Sequence, residues 1–330
     1  MRSPRFQMRP ATLAGTLLAI ILLGAVVVVI SLRGTDEETD VRLAPPEEGS
    51  ILSLAGVFPA EEDAPLRNPT GVAFVGRRLY VAESDAGIIR AFTPEGAEVA
   101  TYTVAPAEGA TAFYPTVLAD AGSDRLAIVD NAAARVIVMR VDEPRAEPGH
   151  FVVGATDPAT APVQPTAVAA WAGELYVAEG AAHEIRVYST GDGTYLRTIG
   201  GSLQPPLSYA GALLATPEGL YVADSNSGVV RLLAFVTGTE LRVVTDDATL
   251  PRGLAGADGT LLVLDMFERR MLALDAEGRP IASTSGPGSL AGAFDAPRAV
   301  TYLPDARRAY IADAGSGRIT VVNVVPSAGE

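Results

Sequence analysis

The chain of 330 residues has two histidines, His150 and His183, no cysteine and no lysine, so its 25 basic residues are all arginine. Thiol nucleophiles and Schiff-base chemistry are therefore closed to it, and two histidines cannot build a three-histidine zinc site. His183 stands in a turn at a position that varies between repeats, and His150 in a long connector; both read as surface residues. The acids are more regular. Glu83, Asp130, Glu179, Asp224, Asp265 and Asp313 follow one another at intervals of 47, 49, 45, 41 and 48 residues. Calcium would need six or more oxygens converging on one point, and members of a repeated motif are held apart. A carboxylate directly before a tight turn instead accepts hydrogen bonds from nearby amides. These six are expected to be structural turn caps, with no metal and no cofactor.

A second set of residues varies where the repeat is otherwise uniform. Pro69, Pro115, Pro165, Pro251 and Pro297 lie 14 to 16 residues before their acids, and the fourth repeat has Ala210 in that place. Directly after the landmark come Thr70, Thr116 and Thr166, then Gly211, then Arg252 and Arg298. Two guanidiniums on neighbouring repeats, with hydroxyls opposite, suit a carboxylate or phosphate. These five side chains are the candidate ligand site, at one mouth of a central channel. The competing reading pairs both arginines with acids on the same rim.

The elements that must position them repeat as well. Leu79-Tyr80-Val81-Ala82-Glu83 returns as Leu175-Tyr176-Val177-Ala178-Glu179 and Leu220-Tyr221-Val222-Ala223-Asp224, with looser copies ending at Asp130, Asp265 and Asp313. Each copy alternates as a strand does. A short apolar run after the landmark predicts a strand before it, a Ser/Asp/Asn/Gly turn follows it, and two further strands complete the unit. Arg90, Arg186 and Arg231 on the third strands are expected at exposed ion pairs of about 0–1 kcal/mol each. Four strands repeated every 40–50 residues predict an all-β, six-bladed β-propeller. The last repeat runs out after three strands, and the orphan run 51–56 is expected to supply the missing outer strand and close the ring.

The phrase Asn68-Pro69-Thr70-Gly71-Val72-Ala73 followed by Leu79-Tyr80-Val81-Ala82 resembles the NHL repeat, and so does the connector from Gly286 to Phe294 before Pro297. The resemblance spans 51–326 and implies four-stranded NHL-like blades. The family's arginine five residues after the acid survives as Arg135, Arg270 and Arg318, while its asparagine is mostly lost. Streptogramin-lyase-type propellers share similar strand phrases. That likeness implies a histidine acid or base, for which His183 is the candidate; a gluconolactonase-like hydrolase would need converging Glu, Asp and Asn.

Residues 11–32 carry no charge, follow Arg2, Arg5 and Arg9, and precede an acidic stretch from Asp36 to Asp40. As a helix they would span about 33 Å, close to the bilayer core. They are expected to form an uncleaved transmembrane signal-anchor, with 1–10 cytoplasmic, 33–50 a solvated acidic linker and 51–330 an extracytoplasmic propeller. Beyond residue 33 the chain has 21 arginines against 39 acids, which argues against nucleic acid as a partner. The resulting expectation is a membrane-anchored, non-catalytic binding or scaffold module. It would engage a protein partner at the membrane or a small anionic ligand. The alternatives are a propeller enzyme of the lyase or hydrolase kind, or the sensor subunit of a membrane signalling complex.

Overall fold

The computed structural model describes residues 17–23, 26–32, 43–59, 65–141, 150–284 and 294–325. Six antiparallel sheets follow one another along the chain. From the inner strand outward, blade 1 comprises Pro69–Val75, Arg78–Glu83, Ile88–Phe92 and Glu98–Val104. Blade 2 comprises Pro115–Gly122, Arg125–Asp130, Arg135–Arg140 and His150–Val152, and blade 3 Pro165–Trp171, Glu174–Glu179, Glu184–Ser189 and Tyr195–Ile199. Blade 4 runs through Ala210–Thr216, Gly219–Asp224, Val229–Leu233 and Glu240–Thr245, and blade 5 through Pro251–Ala257, Thr260–Asp265, Arg270–Leu274 and Pro280–Ser283. Blade 6 has Pro297–Leu303, Arg308–Asp313 and Arg318–Val324, and takes Leu52–Phe58 as its outer strand. The molecule is thus a closed six-bladed propeller of four-stranded blades.

The continuous apolar character of the second strands follows from this arrangement. In blade 1, Leu79 and Val81 point into a core shared with Tyr310, Ile319 and Val321 of blade 6. Their neighbours Tyr80 and Ala82 point the other way, into a core shared with Leu118, Ile128 and Ile137 of blade 2. Period-two alternation therefore divides one strand between two blade interfaces, and neither face can be polar. Each of the six interfaces has such a core.

Two N-terminal segments bear on the anchor and linker readings. The uncharged run 11–32, expected as a membrane-crossing helix, forms strands over Leu17–Leu23 and Val26–Leu32. The second of these pairs through Val28–Ser31 with Val104–Thr101, the outer strand of blade 1. The physical reason lies in composition and opportunity. Val26 to Ile30 are β-branched throughout, which favours extended backbone, and the outer strand presents an unpaired edge. No helix among the described residues is long and apolar enough to cross a membrane. Residues 43–50, placed by sequence in a solvated linker, lie along blade 6. Ala44 N–H donates to the Ala55 carbonyl at 2.7 Å, Asn323 Nδ2 donates to the Ala44 carbonyl at 3.2 Å, and Leu43 packs on the core between blades 6 and 1.

Candidate channel-mouth site

The position after the landmark proline has a structural identity that composition does not reveal. In blade 1, Pro69 pairs with Glu83 and Gly71 with Ala82, which leaves Thr70 without a partner in the register. The same shift recurs in all six inner strands, at Thr116, Thr166, Gly211, Arg252 and Arg298. Each is the extra residue of a β-bulge, a device that bends the strand and re-aims one side chain. Six bulges at one level form a collar at one end of the channel.

The six acids hold that collar from behind. All six are buried, and each accepts from amides just ahead of its own inner strand. Arg67 N–H donates to Glu83 Oε2 at 2.7 Å and Tyr114 N–H to Asp130 Oδ1 at 3.0 Å. Ser208 and Tyr209 N–H both donate to Asp224 Oδ1 at 2.9 Å, and Asp295 and Ala296 N–H donate to Asp313 at 2.9 and 2.7 Å. Glu179 and Asp265 do the same for residues 163–164 and 249–250. These carboxylates therefore clamp the entry of the inner strand. Bonds to the following turn, such as Ser227 Oγ to Asp224 Oδ2 at 3.0 Å, come in addition.

Arginines neutralise several of these buried charges from the third strand. Arg135 Nε lies 2.9 Å from Asp130, Arg90 3.2 Å from Glu83 and Arg231 3.3 Å from Asp224. The Arg231 and Asp224 side chains are 3% and 0% exposed. This corrects the expectation of exposed pairs: a guanidinium reaching back toward the cap also meets the connector that leads into its own blade, as Arg231 does at the Pro205 carbonyl and Arg135 at the Ala105 carbonyl. Arg186 donates to Glu184 at 3.1 Å and to the Ala161 carbonyl at 2.6 Å.

The candidate ligand residues divide into two groups. The threonine hydroxyls serve the backbone. Thr70 Oγ1 lies 2.6 Å from Ser84 Oγ, which donates to the Pro115 carbonyl of blade 2 at 2.6 Å. Thr166 Oγ1 donates to the Ala210 carbonyl of blade 4 at 2.7 Å, and Thr116 Oγ1 to the Val129 carbonyl at 3.5 Å. Thr70 still lines the channel cavity, whereas Thr116 and Thr166 do not. The arginines are different. Arg252 and Arg298 both line the cavity, and neither forms an ion pair among the described residues. The Arg252 guanidinium stacks on the Tyr209 ring at 4.8 Å, and its buried Nε has no partner. Gly211 makes room for it: a Cβ there would collide with Ser225 Oγ and come within 3.2 Å of Arg252 Cδ.

Three further residues escaped sequence reasoning. Tyr209 and Tyr114 occupy the place just before the landmark in blades 4 and 2. The Tyr114 hydroxyl donates to Asp85 at 3.3 Å, and burial followed by the Asp85 charge raises its pKa while Arg298 acts in the opposite sense. Asp120 lines the other end of the same cavity. Its Oδ1 accepts the Gly122 N–H at 2.8 Å, and burial pushes its carboxyl above the usual range against that hydrogen bond, with Asp124 adding to the rise. The signal available was position alone, since Asp120 is the one charged residue at the fifth place after the landmark.

The cavity has a volume of about 280 Å³, and every blade contributes to its wall. His183 is exposed, in the second turn of blade 3 on the collar side, with a left-handed φ of 56°. His150 begins the outer strand of blade 2, at the sheet edge opposite the inner strand. Among the described residues no cluster of His, Cys, Asp or Glu could hold a metal ion.

No protein-family model matches the chain, and no curated protein matches it. Solved structures do. Streptogramin B lyase aligns at TM-score 0.57 and 14% identity, over 83% of this chain and 98% of the other. A catalytically inactive virginiamycin B lyase from Staphylococcus aureus, solved with quinupristin, aligns at TM-score 0.57 and 14% identity, over 83% of this chain and all of that one. A protein of unknown function from Bacteroides thetaiotaomicron reaches TM-score 0.60 at 13% identity, over 93% of this chain and 84% of its own. At such identities the likeness is one of fold: a six-bladed propeller similar to the lyase-type propellers.

Proposed function

We propose that this protein is a non-catalytic propeller binding module whose collar takes a small anionic group between Arg252 and Arg298. One observation carries the reading: two arginines on neighbouring blades line the channel without carboxylate partners, while Arg90, Arg135, Arg197 and Arg231 are all paired. An uncompensated guanidinium pair repels itself and gains from an anion that bridges it. Tyr209 stacks on one guanidinium and fixes its plane. Titration of the full chain with inorganic phosphate and with small carboxylates tests this. Saturable binding that falls with salt, and that disappears in the Arg252→Ala/Arg298→Ala double variant, is the expected result. Binding that survives the double variant, or no binding at all, removes the collar as a ligand site.

The module is proposed to sit at the cytoplasmic membrane, N-terminus inside and propeller outside. Support comes from the uncharged run 11–32 with arginines before it and acids after it. In a bilayer that run would be helical, because a two-stranded hairpin leaves backbone groups unsatisfied in hydrocarbon. In water an edge strand serves the same need. Membrane fractionation with a carbonate wash decides the point: a propeller found wholly in the soluble fraction defeats the anchor. A membrane protein partner, or a sensor role through one, is then tested by pull-down of the anchored chain.

A lyase-like activity is the second reading, favoured by His183 opening on the collar side. Incubation with quinupristin tests it, and an intact substrate after long exposure discards it.

A further inference from the structure

The channel below the collar is graded in chemistry, and the gradient reads as a ligand. Three places after each landmark stand Val72, Leu118, Val168, Leu213, Leu254 and Val300, one branched aliphatic residue from every blade, all lining the cavity. Two places further on the six residues are Phe74, Asp120, Ala170, Ala215, Gly256 and Tyr302. Asp120 is thus the single charge at that level, and it faces the same cavity as the arginines. Four residues of strand separate the collar level from the Asp120 level, roughly 13 Å at about 3.3 Å per residue.

Asp120 is also uncompensated. One carboxylate oxygen accepts the Gly122 amide at 2.8 Å, no cation pairs with it among the described residues, and the neighbouring charge is the like-signed Asp124. Its carboxylate is open to the cavity it lines, with nothing positive opposite it among the described residues. A cavity of about 280 Å³ with cations at one end, aliphatic walls and an anion at the other lies at the small end of ligand sites, which run to roughly 300–1,000 Å³.

We propose that the channel binds one elongated molecule with an anionic head at Arg252 and Arg298, an aliphatic middle against the ring of branched residues, and an ammonium group at Asp120. The chemical class is an ω-amino carboxylate or a molecule presenting that pattern. The inference rests on the collar reading and adds to it the polarity and length of what enters.

The test uses octanoate and 8-aminooctanoate, titrated calorimetrically into the full chain at neutral pH. The added ammonium is expected to tighten binding about tenfold, as a charge-assisted hydrogen bond would. In Asp120→Asn the two ligands are expected to bind alike, each at the wild-type affinity for octanoate. Thermal unfolding of the variant confirms that it is folded. Equal affinities in the wild type, or an advantage of the amine that persists in Asp120→Asn, overturn the inference while leaving the collar reading in place. Failure of octanoate itself to bind overturns both.

Discussion

At the residue scale, the six acids are where sequence regularity and structural necessity coincide. A buried carboxylate that receives two amides and a guanidinium, as Asp224 does, holds strand entry and third strand together. Removing it strands the amides of Ser208 and Tyr209 and leaves the buried Arg231 with only the Pro205 carbonyl and Glu240. Asp224→Ala is therefore expected to cost about 3–5 kcal/mol, read by urea denaturation. His183 makes the opposite case. The fourth residue after every cap is left-handed: Gly87, Ala134, His183, Gly228, Arg269 and Gly317. Three blades use glycine there, and a β-carbon in that conformation costs about 1–2 kcal/mol. His183→Gly is expected to stabilise the protein by about 1 kcal/mol, and a loss of stability would show that the imidazole holds something in place. Asp120 gives a pH signature. Its pKa is raised on folding, so the folded state holds the proton more tightly and stability falls as pH rises through that window. Asp120→Asn removes the penalty. It should unfold at a higher midpoint than wild type at neutral pH, with the two converging once pH drops below the ordinary carboxylate range.

At the scale of the element, the bulge is the unit that matters. It carries one side chain per blade out of the ladder, and the cap acid behind it fixes where that side chain starts. Gly211 illustrates the coupling. Giving blade 4 the threonine found in blades 1 to 3 would push against Ser225 Oγ, which donates to the Pro251 carbonyl at 2.5 Å, and against Arg252. Gly211→Thr is expected to weaken anion binding more than tenfold while lowering stability by about 1–3 kcal/mol, seen by parallel titration and denaturation. Strand order was legible in the sequence because the Leu-Tyr-Val-Ala run is buried on both faces, which keeps its pattern strong. The bulge was not legible, because it consists of a missing pairing that leaves no mark on composition. Arg252 and Arg298 could be named from their place after the landmark. The commitment of the threonine hydroxyls to the backbone could not, since it depends on the next blade. The run 11–32 carries two readings for a related reason: an uncharged stretch satisfies a helix in lipid and an edge strand in water equally well.

At the scale of the whole molecule, the ring is held shut by strands distant in the chain. Leu52 pairs with Val324, and Val325 N–H donates to the Ile51 carbonyl at 2.8 Å. Because these ends already touch, a circular permutant that begins at residue 65 and carries 43–59 after 325 on a short linker is expected to unfold cooperatively near the wild-type midpoint. Deleting 43–59 is expected to abolish the cooperative transition, as blade 6 then ends in an open edge beside an uncovered core. Circular dichroism on both chains checks the pair of outcomes.

That closure gives the polypeptide an unusual relation to its own synthesis. Leu52–Phe58 leaves the ribosome before any blade exists and finds its partner last, when Arg318–Val324 has emerged. Until then an apolar strand waits with nothing to pair with. A message truncated within the final repeat, or a protease cut there, does not yield a smaller propeller. It yields a chain whose Leu52–Phe58 strand has lost its partner, leaving an open edge free to pair with a neighbouring molecule.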